Sequence, residues 1–231
     1  AGITYQTQEL LRFSRPNSEQ IMVNSLSKAI QYLMDRDFLD PTKTAVTGVS
    51  PASITNGSTS ITATGNTSDA FRADFGNALS QYSMANYSLD GLVIAMTQTQ
   101  AMRLSLMRTD FNQKLFPDIN KDGGSIEGIP VITSENIVAN GGSPADGALI
   151  AFINASDILL ADDGAIEVDI STEASIQADS APDSPMTASS VLVSLWQNNL
   201  VGIRCERYIN WTKARSDSVI YITGGNYSVA S

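Results

Sequence analysis

The longest helix signal in the sequence is residues 14–38, which read SRPNSEQIMVNSLSKAIQYLMDRDF. Ser14 or Ser18 is suited to cap the start of a helix, and Pro16 fits a first turn. Apolar side chains then recur every three or four residues, which places them on one face: Met22, Leu26, Ala29, Ile30 and Leu33. The sequence Asp40-Pro41 ends this pattern, because proline moves the preceding residue out of helical geometry. About twenty residues of helix reach roughly 30 Å, which is enough to cross a whole domain.

The segment before this helix has a different period. Ile3, Tyr5 and Thr7 alternate with Thr4 and Gln6, which indicates a β-strand. A single strand is not stable alone, so its partner must lie in a distant part of the chain, in a preceding segment or in another subunit.

Further elements are predicted along the rest of the chain. A helix from Ser68 or Asp69 to near Asn86 has the apolar stripe Phe71, Phe75, Ala78, Leu79 and Tyr82. Thr97 is expected to cap a third helix that runs to about Phe111. Strands are predicted at residues 60–63, 92–96, 129–133, 148–153, 166–170 and 218–223, a turn at 140–144 and a flexible link at 180–185. The last block of the chain, which begins at Met186, is either a helix followed by a strand or one long strand. A helix to about residue 197 and a strand at 201–210 are favoured.

Composition indicates a folded protein and removes several function classes. The 231 residues are 42% hydrophobic and 16% charged, with no histidine and a single cysteine, Cys205. The absence of histidine removes the commonest general base and the commonest metal ligand. We found no apolar run long enough to span a bilayer and no charged-then-apolar leader at the front, so no membrane partner is expected.

The net charge of −10 is unevenly distributed. Residues 1–121 carry ten basic and ten acidic side chains, whereas residues 122–203 carry twelve acidic side chains and no Lys or Arg. The last 28 residues carry four basic and two acidic side chains. The acidic middle disfavours nucleic-acid binding through that region. A solvated acidic surface is the favoured interpretation, and steering between copies of the chain, acidic region to basic end, is the alternative.

One glycine-rich loop has the beginning of a calcium-binding pattern. Asp118, Asn120 and Asp122 precede Gly123 at the spacing of the first ligands of an EF-hand. The twelfth position, which requires a bidentate Glu, is Ile129. An ordinary glycine-rich connection is therefore favoured over a metal site.

Other candidate chemistry is weaker still. Asp162 and Asp163, with Asp157, Glu167 and Asp169 nearby, resemble the carboxylate pairs of acid–base catalysts, but adjacent residues in a turn point apart. Ser25 and Lys28 have the spacing of some serine–lysine acyl enzymes without the accompanying motifs. Cys205 is expected to be a buried, inert thiol. No catalytic, cofactor-binding or metal-binding residue is therefore assigned, and no cofactor is expected.

Two segments are the most distinctive within the order of these elements: GIPVITS at 128–134 and QNNLVGIRCER at 197–207. Together with the order of elements, which covers essentially the whole chain, they resemble the HK97-type major capsid proteins of tailed bacteriophages. Members of that family carry an N-terminal arm and an extended loop ahead of the opening strand, and both are absent from this chain.

The resemblance implies an α+β HK97-like capsid fold with two lobes. A peripheral domain, residues 1–41 and 187–213, would hold the spine helix at about 16–38 against antiparallel strands. An axial α/β domain, residues 42–186 and 214–231, would hold a central mixed sheet. The opening strand would find its partner in the last block of the chain.

The function implied is structural rather than enzymatic: a major capsid subunit that self-assembles into an icosahedral phage head around double-stranded DNA. Its partners would be copies of itself in pentamers and hexamers, with scaffold, protease and portal proteins during assembly in the host bacterial cytoplasm. The DNA would be enclosed without specific binding, and the final location would be the virion. The alternatives are the shell of a non-viral nanocompartment with the same fold and, from another class, a hydrolase using acidic residues.

Overall fold

The computed structural model describes residues 1–13, 18–109, 111–137, 148–179 and 182–227. Its internal contacts divide the chain into two compact units. The first unit comprises Ala1–Tyr32 and Asp162–Tyr208, and the second comprises Leu33–Ala161 and Ile209–Ser231. The predicted helix cap at Ser14, the proline at 16 and the predicted turn at 140–144 lie outside the described residues, as does part of the predicted link at 180–185.

Among its described residues, the first unit contains two α-helices and five strands. Strand β1 is Gly2–Thr7, helix α1 is Gln8–Phe13, and helix α2 is Ser18–Leu39, which the division between the units interrupts after Tyr32. Its other strands are β8 (Glu167–Ser171), β9 (Ser175–Ile176), β10 (Val193–Ser194) and β11 (Leu200–Glu206). The long predicted helix and the predicted opening strand are therefore both present.

A three-stranded antiparallel sheet in the order β1-β11-β8 is the centre of the first unit. Gly2 pairs with Cys205 and Thr7 with Leu200, so the opening strand does find its partner in the last block of the chain. Met22 and Ile30 of α2 are buried. A side chain on Gly2 would lie 3.4 Å from Leu26 Cδ2, which shows that α2 packs on this face of the sheet. Leu195 covers the other face above Gly202.

The second unit contains the remaining elements. Its helices are α3 (Ser68–Met84) and α4 (Gln98–Leu106). Its strands are β2 (Thr59–Thr62), β3 (Leu92–Met96), β4 (Gly124–Ile126), β5 (Ile129–Thr133), β6 (Ala148–Asn154), β7 (Ile158–Asp162), β12 (Ile209–Lys213) and β13 (Val219–Gly225). Strands β7 and β12 form a separate two-stranded sheet.

A six-stranded mixed sheet in the order β2-β13-β6-β3-β5-β4 has a hydrophobic core on each face. Successive side chains of a strand point to opposite faces, so the continuous apolar run of β6 supplies both cores. Ile150 and Phe152 join α3 and α4 in the larger core. Leu149 and Ala151 join the second core, in which the Phe38 and Trp211 rings meet edge to face at 5.3 Å.

Buried polar groups fix the chain end to this core. Tyr227 is fully buried, and its hydroxyl donates to Asp74 Oδ2 at 2.7 Å. The amide of Thr64 donates to the same carboxylate oxygen at 3.0 Å. Burial and the hydrogen bond to Asp74 raise the pKa of Tyr227. The Tyr82 hydroxyl donates to the Phe152 carbonyl at 2.8 Å, and burial raises its pKa as well.

Three predicted elements differ from the structure. Helix α4 ends at Leu106 rather than near Phe111, because Met107 is extended and its carbonyl accepts a hydrogen bond from the Leu115 amide. The predicted helix to residue 197 is absent; its Ser- and Val-rich sequence forms β10, which pairs with β9. The predicted strand 201–210 is interrupted at Arg207, so β11 and β12 join different sheets.

Candidate intersubunit surface

Three of the five acidic residues that suggested catalysis, Asp157, Asp162 and Asp169, are paired with separate arginines. Arg204 Nη2 lies 2.7 Å from Asp169 Oδ2, and Arg215 Nε lies 3.8 Å from Asp157 Oδ1. Arg207 contacts Asp162 through two nitrogens. The three arginines come from the basic end of the chain and the three carboxylates from its acidic middle. The charge complementarity between the acidic region and the basic end, considered above as an alternative for contacts between copies, is therefore partly used within one chain.

Asp162 is the most fully satisfied of these carboxylates. Its Oδ1 accepts from Arg207 Nε at 3.1 Å and from the Gly164 amide at 3.0 Å. These hydrogen bonds hold the pKa of Asp162 below its ordinary value. A general acid at neutral pH needs the opposite shift, so Asp162 has the properties of a structural ion pair. Asp163 follows it in the turn, and Glu167 lies opposite Glu206 in the β8–β11 register.

The glycine-rich loop is a tight turn against β5. The Asn120 amide donates to the Gly123 carbonyl at 2.8 Å, and Asn120 Oδ1 accepts from the Asp122 amide. A side chain on Gly124 would lie 1.9 Å from the Asp118 carbonyl oxygen, which explains the glycine there. Within the described ranges, no three acidic, cysteine or histidine side chains are grouped so as to hold a metal ion.

The other residues that were considered for catalysis, Ser25, Lys28 and Cys205, do not form a catalytic group either. Ser25 and Lys28 are exposed on the outer face of α2. Cys205 is fully buried in β11, and burial raises the pKa of its thiol. A thiol in these surroundings is a poor nucleophile.

The distinctive feature of the first unit is its exposed apolar surface. Isolated exposed apolar residues are normal on a protein, but a dense set marks an interaction surface. The first unit has about a third of the residues, yet it carries more than half of the large apolar side chains that are exposed in the described structure. They are Ile3, Tyr5, Leu10, Phe13, Ile21, Tyr32, Val168, Ile170, Met186, Val191, Leu192, Trp196 and Tyr208. Ile3 and Tyr5 lie on one face of the three-stranded sheet and Val168 and Ile170 on the other, so the set is distributed over both faces. We call this set the apolar surface of the first unit.

Phe13 and Trp196 are the most prominent members of this surface. Phe13 is 86% exposed and Trp196 is 75% exposed. Large aromatic side chains of this kind dominate the binding energy of protein interfaces. The exposed aromatic rings make the apolar surface of the first unit the best candidate for binding another protein surface.

The second unit has one apolar groove of about 410 Å³. Val93, Ile132 and Leu160 line it, and Asp35 lies at its polar side, where Ser134 Oγ donates to Asp35 Oδ2 at 2.9 Å. Elsewhere the exposed apolar residues of this unit are more widely spaced along its sequence. Among the helices that the structure describes, none is long and apolar enough to cross a membrane.

Comparison with known proteins places these features in a family. The sequence profile described as "Phage capsid family" matches residues 1–224. The chain belongs to the phage capsid family. A "Capsid polyprotein" of Pseudomonas phage PAJU2 is 46% identical over 230 residues, which is all of this chain and 34% of that protein. This capsid chain thus spans about a third of the length of that relative.

Solved structures give the same fold. A protein of Mycobacterium phage Adephagia superposes with a TM-score of 0.69 at 14% identity, covering 96% of this chain and 70% of the other. A protein of Gordonia phage Cozz gives a TM-score of 0.67 at 14% identity, covering 96% and 68%. These matches confirm the predicted HK97-like α+β fold, and the family gives this protein the structural role of a capsid subunit.

The sequence identified the family but none of the surface residues. The exposed side chains of α2 illustrate the reason. The predicted apolar stripe includes Leu33, which is 42% exposed, and omits Ile21, which is 62% exposed. Apolar periodicity locates a helix face that is buried somewhere, but it does not separate burial within the chain from burial against another chain.

Proposed function

We propose that this capsid protein forms the shell of an icosahedral phage head by self-association, as pentamers and hexamers that enclose double-stranded DNA. The observation that supports this proposal best is the apolar surface of the first unit. Covering each of its large side chains would contribute about 1.5–3 kcal/mol before entropic costs. Shell subunits of this kind are expected to bury more than a standard interface of about 1,600 Å².

The two compact units would make different contacts in the shell. We assign the first unit to the peripheral domain and the second to the axial domain of the HK97-like fold. Contacts around fivefold and sixfold axes would then use the axial domain, and twofold or threefold contacts would use the peripheral domain. The assignment moves residues 162–186, which the sequence placed in the axial domain, to the peripheral domain. It moves residues 33–41 and 209–213, which the sequence placed in the peripheral domain, to the axial domain.

The protein would act without catalysis. Its carboxylates at 157, 162 and 169 are engaged by arginines, which supports a structural role for them. Assembly in the host cytoplasm with scaffold, protease and portal proteins, and a final location in the virion, follow from a capsid role.

The acidic middle region has a role in this proposal. A net charge of −10 repels phosphate backbones, so the inner wall would not adsorb packaged DNA. A filter-binding measurement with duplex DNA at physiological salt is expected to give no retention. Tight, sequence-independent retention of DNA would overturn this role.

Assembly itself is tested by electron microscopy of the full-length protein, with substitutions placed in the two units. Trp196→Glu and Phe13→Asp are expected to abolish closed particles and leave the thermal midpoint of the isolated chain unchanged, because both side chains are already exposed. Val49→Asp, on the second unit at 81% exposure, is the matched control and is expected to leave particles intact.

The contents of the particles separate the phage head from its alternative. Duplex DNA inside closed particles purified from infected cells supports the head. Closed particles filled with protein would instead favour a nanocompartment, and the absence of any particle from the full-length protein would contradict both.

A further inference from the structure

We draw no further inference here: the strongest candidate, the apolar groove of about 410 Å³ that Val93, Ile132 and Leu160 line in the second unit, carries none because nothing in the described structure shows what covers it.

Discussion

The two units of this capsid protein differ in where their apolar side chains are buried. The second unit encloses two hydrophobic cores, one on each face of its six-stranded sheet. The first unit has few buried apolar side chains between its three-stranded sheet and its helix, among them Met22, Ile30 and Ile203, and it exposes many more. One unit therefore buries most of its apolar side chains within the chain, and the other leaves many of its large apolar side chains exposed.

This difference indicates how a shell subunit divides stability from association. A core packed to high density resists unfolding, and removing atoms from it is costly. The surface that we propose to bind copies of the same chain stays exposed in the free subunit, so it does not contribute to the stability of that subunit. The predictions below probe the two units separately.

The largest expected effect is loss of core packing in the second unit. Phe152→Ala should reduce the free energy of unfolding by about 3–5 kcal/mol, because Phe152 is fully buried in the larger core. Urea denaturation of the purified chain measures this change. Ile132→Ala, at 59% exposure on the same sheet, should change it by less than about 0.5 kcal/mol.

Truncation of a buried residue of the first unit to alanine tests whether that unit contributes less to the stability of the chain. Ile203→Ala should cost about 2–3 kcal/mol, near the lower end for buried aliphatic residues, because neighbouring exposed side chains can move toward the cavity. A loss larger than that of Phe152→Ala would contradict the view that the second unit holds most of the stability.

The next effect concerns the polar anchor of the second unit. Tyr227→Phe should cost about 1–3 kcal/mol, because Asp74 Oδ2 loses one of its two donors inside the core. The same denaturation experiment measures it. Tyr208→Phe, at an exposed position of the first unit, is the control and should be nearly neutral.

High pH should weaken the second unit. The raised pKa values of Tyr82 and Tyr227 mean that both stay protonated in the folded chain after they ionise in the unfolded chain. Their contribution is complete below pH 10 and declines above it, by up to about 1.4 kcal/mol per pH unit for each group. Tyr82→Phe with Tyr227→Phe should flatten this decline between pH 10 and 11; an equally steep decline in the double variant would contradict the assignment.

The smallest expected effect is a loss of stability of the first unit at low pH. The lowered pKa of Asp162 means that its pairing with Arg207 stabilises the fold above its unfolded-state value and is lost as the pH falls through the lower folded value. Arg207→Ala should therefore reduce the acid sensitivity of the thermal midpoint below pH 4. The wild-type chain and the variant, scanned from pH 5 to 2.5, give the comparison.

The sequence predicted the elements whose signals are local. The alternation at Ile3 and Tyr5, the stripe through Phe71 and Tyr82, and the apolar run of β3 all correspond to observed elements. The predictions failed for elements whose secondary structure is determined by contacts with residues distant in the sequence. Residues 191–197 have no strong intrinsic preference, and the pairing of Val193 with Ile176 places the two-residue strand β10 among them.

The candidate surface could not be predicted for a related reason. Ile3 and Ile203 are both apolar residues in alternating strands, yet one is 57% exposed and the other is 1% exposed. Their difference depends on which face α2 and Leu195 cover. The resemblance to capsid proteins came from the order of many short segments. That order predicts the fold, but it does not indicate which side chains lie on the surface.

Hydrogen–deuterium exchange on the free and assembled full-length protein tests the central claim most directly. If copies associate through the apolar surface of the first unit, amides of β1, α1 and residues 186–196 should exchange more slowly after assembly. The core strands β3 and β6, already protected in the free subunit, should not change. Slower exchange confined to the second unit, with the first unit unchanged, would contradict the account.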